Sequence, residues 1–186
     1  EKAEAKQKAK QKKAKKQQKQ GKRGRPKGSK NRNKTNVTLT PELLRIQEMI
    51  KQFLALAGKS IMISYIALDG HFGNNNALQM VQQCHLHLVS KLRYDSALYF
   101  SYKGKKKRQK YGDKLDYSQI PAQHLQESTT EDGIQTDIYQ ASLLHKEFAK
   151  SLNVVIIVKT KLDTGATARI ILFSSDLDLA WALLID

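Results

Sequence analysis

From residue 40 to residue 58 the apolar residues recur at helical spacing, and from residue 61 the pattern is that of a strand. Apolar side chains at helical spacing begin after Thr40 and Pro41, which predict a helix cap and first turn, and they run to Gly58, which predicts the helix end. An apolar run at 61–68 predicts a strand that delivers Asp69 to its carboxyl end.

An asparagine-rich turn follows, and the pattern then returns to helix and strand. One Asn within residues 74–76 predicts the cap of a short helix whose apolar stripe includes Leu78 and Val81. Residues 86–93 predict a second strand that ends in Lys91 and Arg93. The order helix, strand, helix, strand indicates an α/β fold.

The second half of the chain has strand character. Strand-like runs occupy residues 134–144, 152–160 and 168–174, and the turn at 162–165 predicts that the last two form a hairpin. A short helical piece is expected after residue 120, and Asp132-Gly133 predicts a turn.

Charge divides the chain into two parts. Residues 1–35 contain 16 Lys and Arg against Glu1 and Glu4, and so hold +14 of the net charge of +16. Residues 1–20 are almost wholly Lys, Ala, Gln and Glu, without an apolar stripe, which predicts disorder or a solvated helix. The single Cys84 excludes an internal disulfide and indicates a reducing compartment, and no apolar run is long enough to span a bilayer.

A short motif in the basic segment predicts contact with nucleic acid. Arg23, Arg25 and Lys27 surround Gly24 and Pro26, as in an AT-hook, whose slim extended backbone lies in the minor groove of A·T-rich DNA. The alternative is a solvated basic linker in which Gly and Pro only prevent regular structure.

Asp69 is the candidate for catalysis. The carboxyl end of a strand is where an α/β sheet presents its chemistry, and a carboxylate flanked by Lys91 and Arg93 could serve a metal and a phosphate together. The plain alternative is a turn residue, because Asp-Gly after a strand is a common turn dipeptide.

Three separated motifs resemble the DDE transposases of bacterial insertion sequences, the cut-and-paste type with an RNase H-like catalytic domain. They occupy residues 65–74, 88–99 and 110–116, with a weaker continuation at 172–177. The resemblance implies that Asp69 is the second of three catalytic carboxylates and a ligand in a two-metal site for Mg²⁺ or Mn²⁺. The other carboxylates are expected outside this chain, so a fragment without cleavage activity of its own is expected.

The resemblance also implies a division into four segments. They are a basic segment with the AT-hook-like motif at 1–36, a partial RNase H-like core at 37–93, a β-rich insertion at 94–174, and the start of a helix at 175–186 that leads to a missing catalytic Glu. The expected fold is therefore α/β, a partial RNase H-like fold with a β-rich insertion and a basic tail.

The implied function is metal-dependent DNA cleavage and strand transfer. Double-stranded DNA, as transposon ends and target, is the expected partner, with Arg23, Arg25, Lys27, Lys91 and Arg93 as its contacts. A homodimer in a synaptic complex and a bacterial cytoplasmic, nucleoid-associated location are expected, without a membrane partner. Two alternatives stay open: a non-catalytic DNA-binding protein or decayed transposase remnant, and an RNA-binding protein, although aromatic RNA-stacking motifs are lacking.

Overall fold

Three α-helices, two single turns of 3-10 helix (Gly70–Phe72 and Ala122–His124) and eight strands make up the regular structure of the described part of the chain. The structure, a computed structural model, describes residues 33–57, 60–106 and 108–185. The helices are α1 (Pro41–Ala57), α2 (Asn75–Gln83) and α3 (Trp181–Ile185). The strands are β1 (Tyr65–Ala67), β2 (His87–Leu92), β3 (Leu98–Ser101), β4 (Tyr111–Lys114), β5 (Leu125–Glu131), β6 (Ile134–His145), β7 (Leu152–Lys161) and β8 (Thr167–Ser174).

Helix α1 begins as predicted. The Thr40 hydroxyl accepts a hydrogen bond from the Leu43 amide at 3.3 Å, and Pro41 occupies the first helical position. Leu43, Gln47 and Ile50 are its buried residues, which lie on one face at helical spacing. The predicted helix end at Gly58 lies outside the described residues.

The strands form one mixed sheet. The strand order is β1-β2-β8-β7-β6-β3-β4, and β5 pairs with β6. Only β1 and β2 run parallel among these described pairs, joined by a crossover that contains α2. The predicted hairpin is confirmed, because β7 and β8 pair antiparallel from Asn153–Ser174 to Thr160–Thr167, and Gly165 in the turn has φ +66°.

Alternate residues of the central strands face two different cores. Val154 and Ile156 join the larger core with Leu78 and Val81 of α2. Val155 joins a smaller core with Leu172 and Leu184 on the other face. The predicted α/β class is confirmed, and the mixed sheet is consistent with a partial RNase H-like fold.

The sheet crosses the boundary drawn from the sequence between residues 93 and 94. Strand β2 pairs with β8 in an antiparallel ladder that includes Val89–Ser174 and Leu92–Ile171. The segment expected to form a β-rich insertion therefore extends the sheet that holds β1 and β2. The four-part division remains a prediction.

Strand β3 lies in the run 96–102, where apolar and polar residues alternate, whereas β4 and β5 were not predicted and β1 is shorter than predicted. The sequence of β5 has no alternation of apolar and polar residues, which is the pattern that predicts a half-buried strand, and every residue of β5 is exposed. Strand β4 contains only Tyr111–Lys114, beside a basic loop. The first strand covers Tyr65–Ala67 rather than residues 61–68, because the ladder to β2 has paired residues at these three positions, with one further backbone bond on each side.

Candidate active site at the Asp69 turn

Asp69 stands at the carboxyl end of β1, in a turn tied to the neighbouring strand. The Leu68 amide donates to the Val89 carbonyl at 3.0 Å, which extends the parallel pairing by one residue. The hydroxyl of Ser90, only 3% exposed, donates to the Asp69 carbonyl at 3.0 Å. The backbone of Asp69 is thus held from β2, while its side chain is exposed.

The Asp69 carboxylate caps a single turn of 3-10 helix, Gly70–Phe72. Its Oδ1 accepts a hydrogen bond from the His71 amide at 2.9 Å. This bond lowers the pKa of Asp69 below its usual value, with further lowering by the Gly70 amide and the positive charge of Lys91. The group is therefore an exposed anion at neutral pH, the state that a cation ligand requires.

Lys91 lies against the same turn. A Cβ added to Gly70 would lie 3.3 Å from the Lys91 Cβ, and a Cβ added to Gly73 would lie 1.9 Å from the Lys91 carbonyl oxygen. Gly73 is thus required by close approach of two backbones rather than by its φ of −69°. The structure places Lys91, a predicted DNA contact, beside Asp69.

Arg93 lies further along the same edge and is already paired. Its Nε and Nη2 donate to the two carboxylate oxygens of Asp95 at 3.1 and 3.2 Å. The Arg93 side chain is nevertheless 82% exposed, and it borders a cleft of about 280 Å³ with Gly73, His145 and Glu147. An exposed pair of this kind is weak and can exchange one partner for another anion.

His71 and Asp176 are two further polar residues near β1. The His71 imidazole lies 3.8 Å from the Glu42 carboxylate, and both side chains are exposed. Asp176 accepts hydrogen bonds from the Tyr65 hydroxyl and the Asp178 amide. Tyr65 begins β1, whereas Asp69 follows its other end. The bond from Tyr65 is the main reason that the pKa of Asp176 is lowered.

The described residues do not form a complete metal site. Among them, no group of three or more His, Cys, Asp or Glu side chains is arranged to hold an ion. Asp69 can supply one carboxylate ligand, and the rest of a two-metal site would need residues from elsewhere.

The contacts that hold this turn were not predicted from the sequence. Ser90 lies within the predicted second strand, and its position opposite the turn makes it an anchor for Asp69. Gly73 precedes the asparagine-rich turn, and the sequence holds no signal for its contact with β2. Arg23, Arg25 and Lys27 lie outside the described residues.

Comparison with known proteins identifies one family. A family model described as DDE superfamily endonuclease matches residues 5–149, well over half of the chain. No curated protein and no solved structure gave a significant match. In the part of the chain that the structure describes, no helix combines the length and apolar character needed to cross a membrane.

Proposed function

The chain belongs to the DDE superfamily endonucleases, and from that premise we propose that it acts in a transposase that cuts and joins DNA during movement of an insertion sequence. The observation that carries this proposal is the Asp69 carboxylate, exposed at the carboxyl end of β1 and held beside Lys91. It belongs to a stretch of the chain covered by the family match.

Asp69 supplies one carboxylate of a divalent-metal site. Mg²⁺ and Mn²⁺ prefer oxygen ligands, and a charged, exposed carboxylate meets that requirement. When bound, such ions activate the attacking oxygen and stabilise the leaving oxygen of the scissile phosphate. The turn contributes position, because Ser90 and the His71 amide hold the Asp69 backbone and Oδ1. Further carboxylates come from outside the described residues.

DNA is the proposed substrate and partner. Lys91 lies beside the metal ligand and is placed to meet a phosphate near the reacting bond. Arg93 would exchange Asp95 for a phosphate oxygen, and Arg23, Arg25 and Lys27 would enter a minor groove. A homodimer that pairs two transposon ends, in the bacterial cytoplasm, would bring these contacts to DNA.

The test is cleavage by the full-length protein with Mg²⁺ or Mn²⁺, comparing Asp69→Asn with Asp163→Asn. Both changes remove one negative charge, but Asp163 lies in the turn between β7 and β8. Asp69→Asn should reduce plasmid nicking by at least about a hundredfold, the scale for losing one electrostatic contact in an active site. Asp163→Asn should nick at the wild-type rate. Wild-type nicking by the Asp69 variant would show that Asp69 is only a turn residue.

A non-catalytic DNA-binding protein, or a decayed remnant of a transposase, is the second candidate. The observation that favours it is the concentration of +14 charges in residues 1–35. Tight DNA binding by the full-length wild-type protein, without metal-dependent nicking, would favour this alternative.

A further inference from the structure

A cluster of lysines and tyrosines lies on the strand pair β3–β4 and the turn that follows β6. The Tyr99 and Tyr111 rings meet edge to face with centroids 5.5 Å apart. The Lys146 ammonium lies 4.7 Å from the centre of the Tyr99 ring, and the Lys110 ammonium lies 6.0 Å from that of Tyr111. These four residues are called the lysine–tyrosine surface.

A cation–π contact holds each of the two ammonium groups, and a backbone carbonyl also holds that of Lys110. Lys110 also donates to the Ala149 carbonyl at 2.9 Å, and both lysines are exposed at the residue level. A lysine held over a ring loses less side-chain freedom when it meets an anion than a free one does. Lys114 adds a third cation, because it pairs with Tyr99 in the β3–β4 ladder and shares its face.

The turn after β6 is tied to the Asp69 end of the sheet. The Asn75 side chain, at the start of α2, accepts from the Ala149 amide at 3.1 Å and donates to the Lys34 carbonyl at 2.7 Å. Lys34 in turn donates to the carbonyls of Lys146 and Phe148. The Lys146 turn and the beginning of α2 therefore form one fixed unit.

A cleft joins this unit to the Asp69 turn. Its lining includes Gly73, Arg93, His145 and Glu147, and Gly73 is the residue packed on the Lys91 carbonyl. Lys91 thus lies beside the Asp69 turn, and Arg93 lines the same cleft as His145 and Glu147, the residues on either side of Lys146.

Acidic and neutral groups on this route limit its charge without reversing it. Asp95 is paired with Arg93, and Glu147 lies in the same turn as Lys146. Burial lowers the pKa of His145, so this residue adds no positive charge at neutral pH. Lys91, Arg93, Lys110, Lys114 and Lys146 still outnumber Asp95 and Glu147.

We propose that the lysine–tyrosine surface binds the phosphate backbone of double-stranded DNA and guides the duplex to the Asp69 turn. This inference rests on the proposed DNA function and adds a second contact region to it. Exposed cations near a candidate catalytic carboxylate, two of them held over tyrosine rings, suit the phosphates of a duplex, and phosphate contacts set the register of a protein on DNA.

The experiment compares two charge-matched double variants of the full chain. Lys110→Ala with Lys146→Ala changes the proposed surface, and Lys159→Ala with Lys161→Ala removes two exposed lysines from β7. Affinity for a fluorescent duplex of about two helical turns is measured by anisotropy over a range of NaCl concentrations.

The surface variant should lower the slope of log affinity against log salt by about 1.8, which corresponds to two lost phosphate contacts, and weaken binding about tenfold or more near 0.1 M salt. The β7 variant should leave the slope nearly unchanged. Lys110→Arg with Lys146→Arg should retain the wild-type slope, because both charges remain, and this variant separates lost contact from damaged folding. Equal slopes for the two alanine pairs would overturn the proposal.

Lysine acetylation followed by mass spectrometry provides a local measurement. Bound duplex should protect Lys110 and Lys146 from acetylation and leave Lys159 and Lys161 reactive. Protection of all four, or of neither surface lysine, contradicts a defined surface. If the surface lysines are unprotected while the full-length protein nicks DNA, only this inference fails. If they are protected but no nicking occurs, the surface stands and the proposed catalytic function fails.

Discussion

Replacing Gly73 with alanine tests whether contact with β2 sets the position of the Asp69 turn. The new Cβ would lie 1.9 Å from the Lys91 carbonyl oxygen and 3.1 Å from its carbonyl carbon. Both atoms belong to the backbone of a strand paired on its other side with β8. Neither can turn away as a flexible side chain would.

The geometry gives the size of the expected effect. Real Cβ atoms almost never approach another heavy atom closer than 3.0 Å, so the turn and β2 must separate by about 1 Å. Overpacking of this kind costs about 1–3 kcal/mol. We expect the upper half of that range, because the movement also strains the Ser90–Asp69 hydrogen bond. For a domain of this size, about 2–3 kcal/mol corresponds to a fall in Tm of roughly 4–12 °C.

Gly70→Ala is the matched control. Its Cβ would meet the Lys91 Cβ at 3.3 Å, a contact that a few tenths of an ångström can relieve. Thermal unfolding followed by circular dichroism should show a fall of less than about 3 °C for this variant. If Gly73→Ala melts within about 2 °C of the wild type, the close approach of the two backbones does not hold the turn.

Three further predictions concern the helix cap, a partly buried tyrosine and the basic segment. Asn74→Ala removes the acceptor for the Ala77 amide at the start of α2 and should cost about 1 kcal/mol in urea unfolding, whereas Asn76→Ala, inside the first turn, should cost less. Burial raises the pKa of Tyr117 to about 12, so the folded state holds the phenol proton more tightly than the unfolded state does. The stability that this proton contributes is full below pH ~10 and is lost as pH rises toward 12, and Tyr117→Phe should flatten that loss. Arg25→Ala should reduce preference for A·T-rich over G·C-rich duplex in competition binding more than Lys13→Ala, and equal effects would favour a plain basic linker.

Local signals predicted the elements around Asp69 well. The Thr40 and Asn74 caps act within three residues of the amides they bind, so the sequence alone contains both partners. The β7–β8 hairpin was predictable for the same reason, because its turn and its apolar strands are contiguous.

Strand β5 shows what local patterning misses. Its residues are all exposed, and it is held by backbone pairing with β6 rather than by burial. The sequence holds one signal for it, the dipeptide Asp132-Gly133. Both residues have positive φ, as a tight hairpin turn requires. Reading that turn with a strand on both sides would have found β5.

Contacts between distant residues could not be predicted from pattern. The pairing of β2 with β8 joins residues about 80 positions apart, and no local period specifies such a partner. The same holds for Gly73 against Lys91 and for Lys146 over Tyr99. Asp69 was therefore identifiable from the sequence as a candidate catalytic residue. The contacts that position it, and those that form the lysine–tyrosine surface, were not.

Asp69 has a structural role that must be separated from its proposed chemical one. Its Oδ1 caps the 3-10 turn by accepting from the His71 amide, which alone explains an aspartate at this position. Asparagine keeps an oxygen acceptor of the same size and removes only the charge, and it is as good a cap as aspartate. Asp69→Asn should therefore unfold within about 0.5 kcal/mol of the wild type, as an exposed substitution does, while nicking is lost. Asp69→Ala removes the cap as well and should cost about 1 kcal/mol. If Asp69→Asn destabilises the protein as much as Asp69→Ala, the charge itself holds the turn, and a loss of nicking would no longer identify a metal ligand.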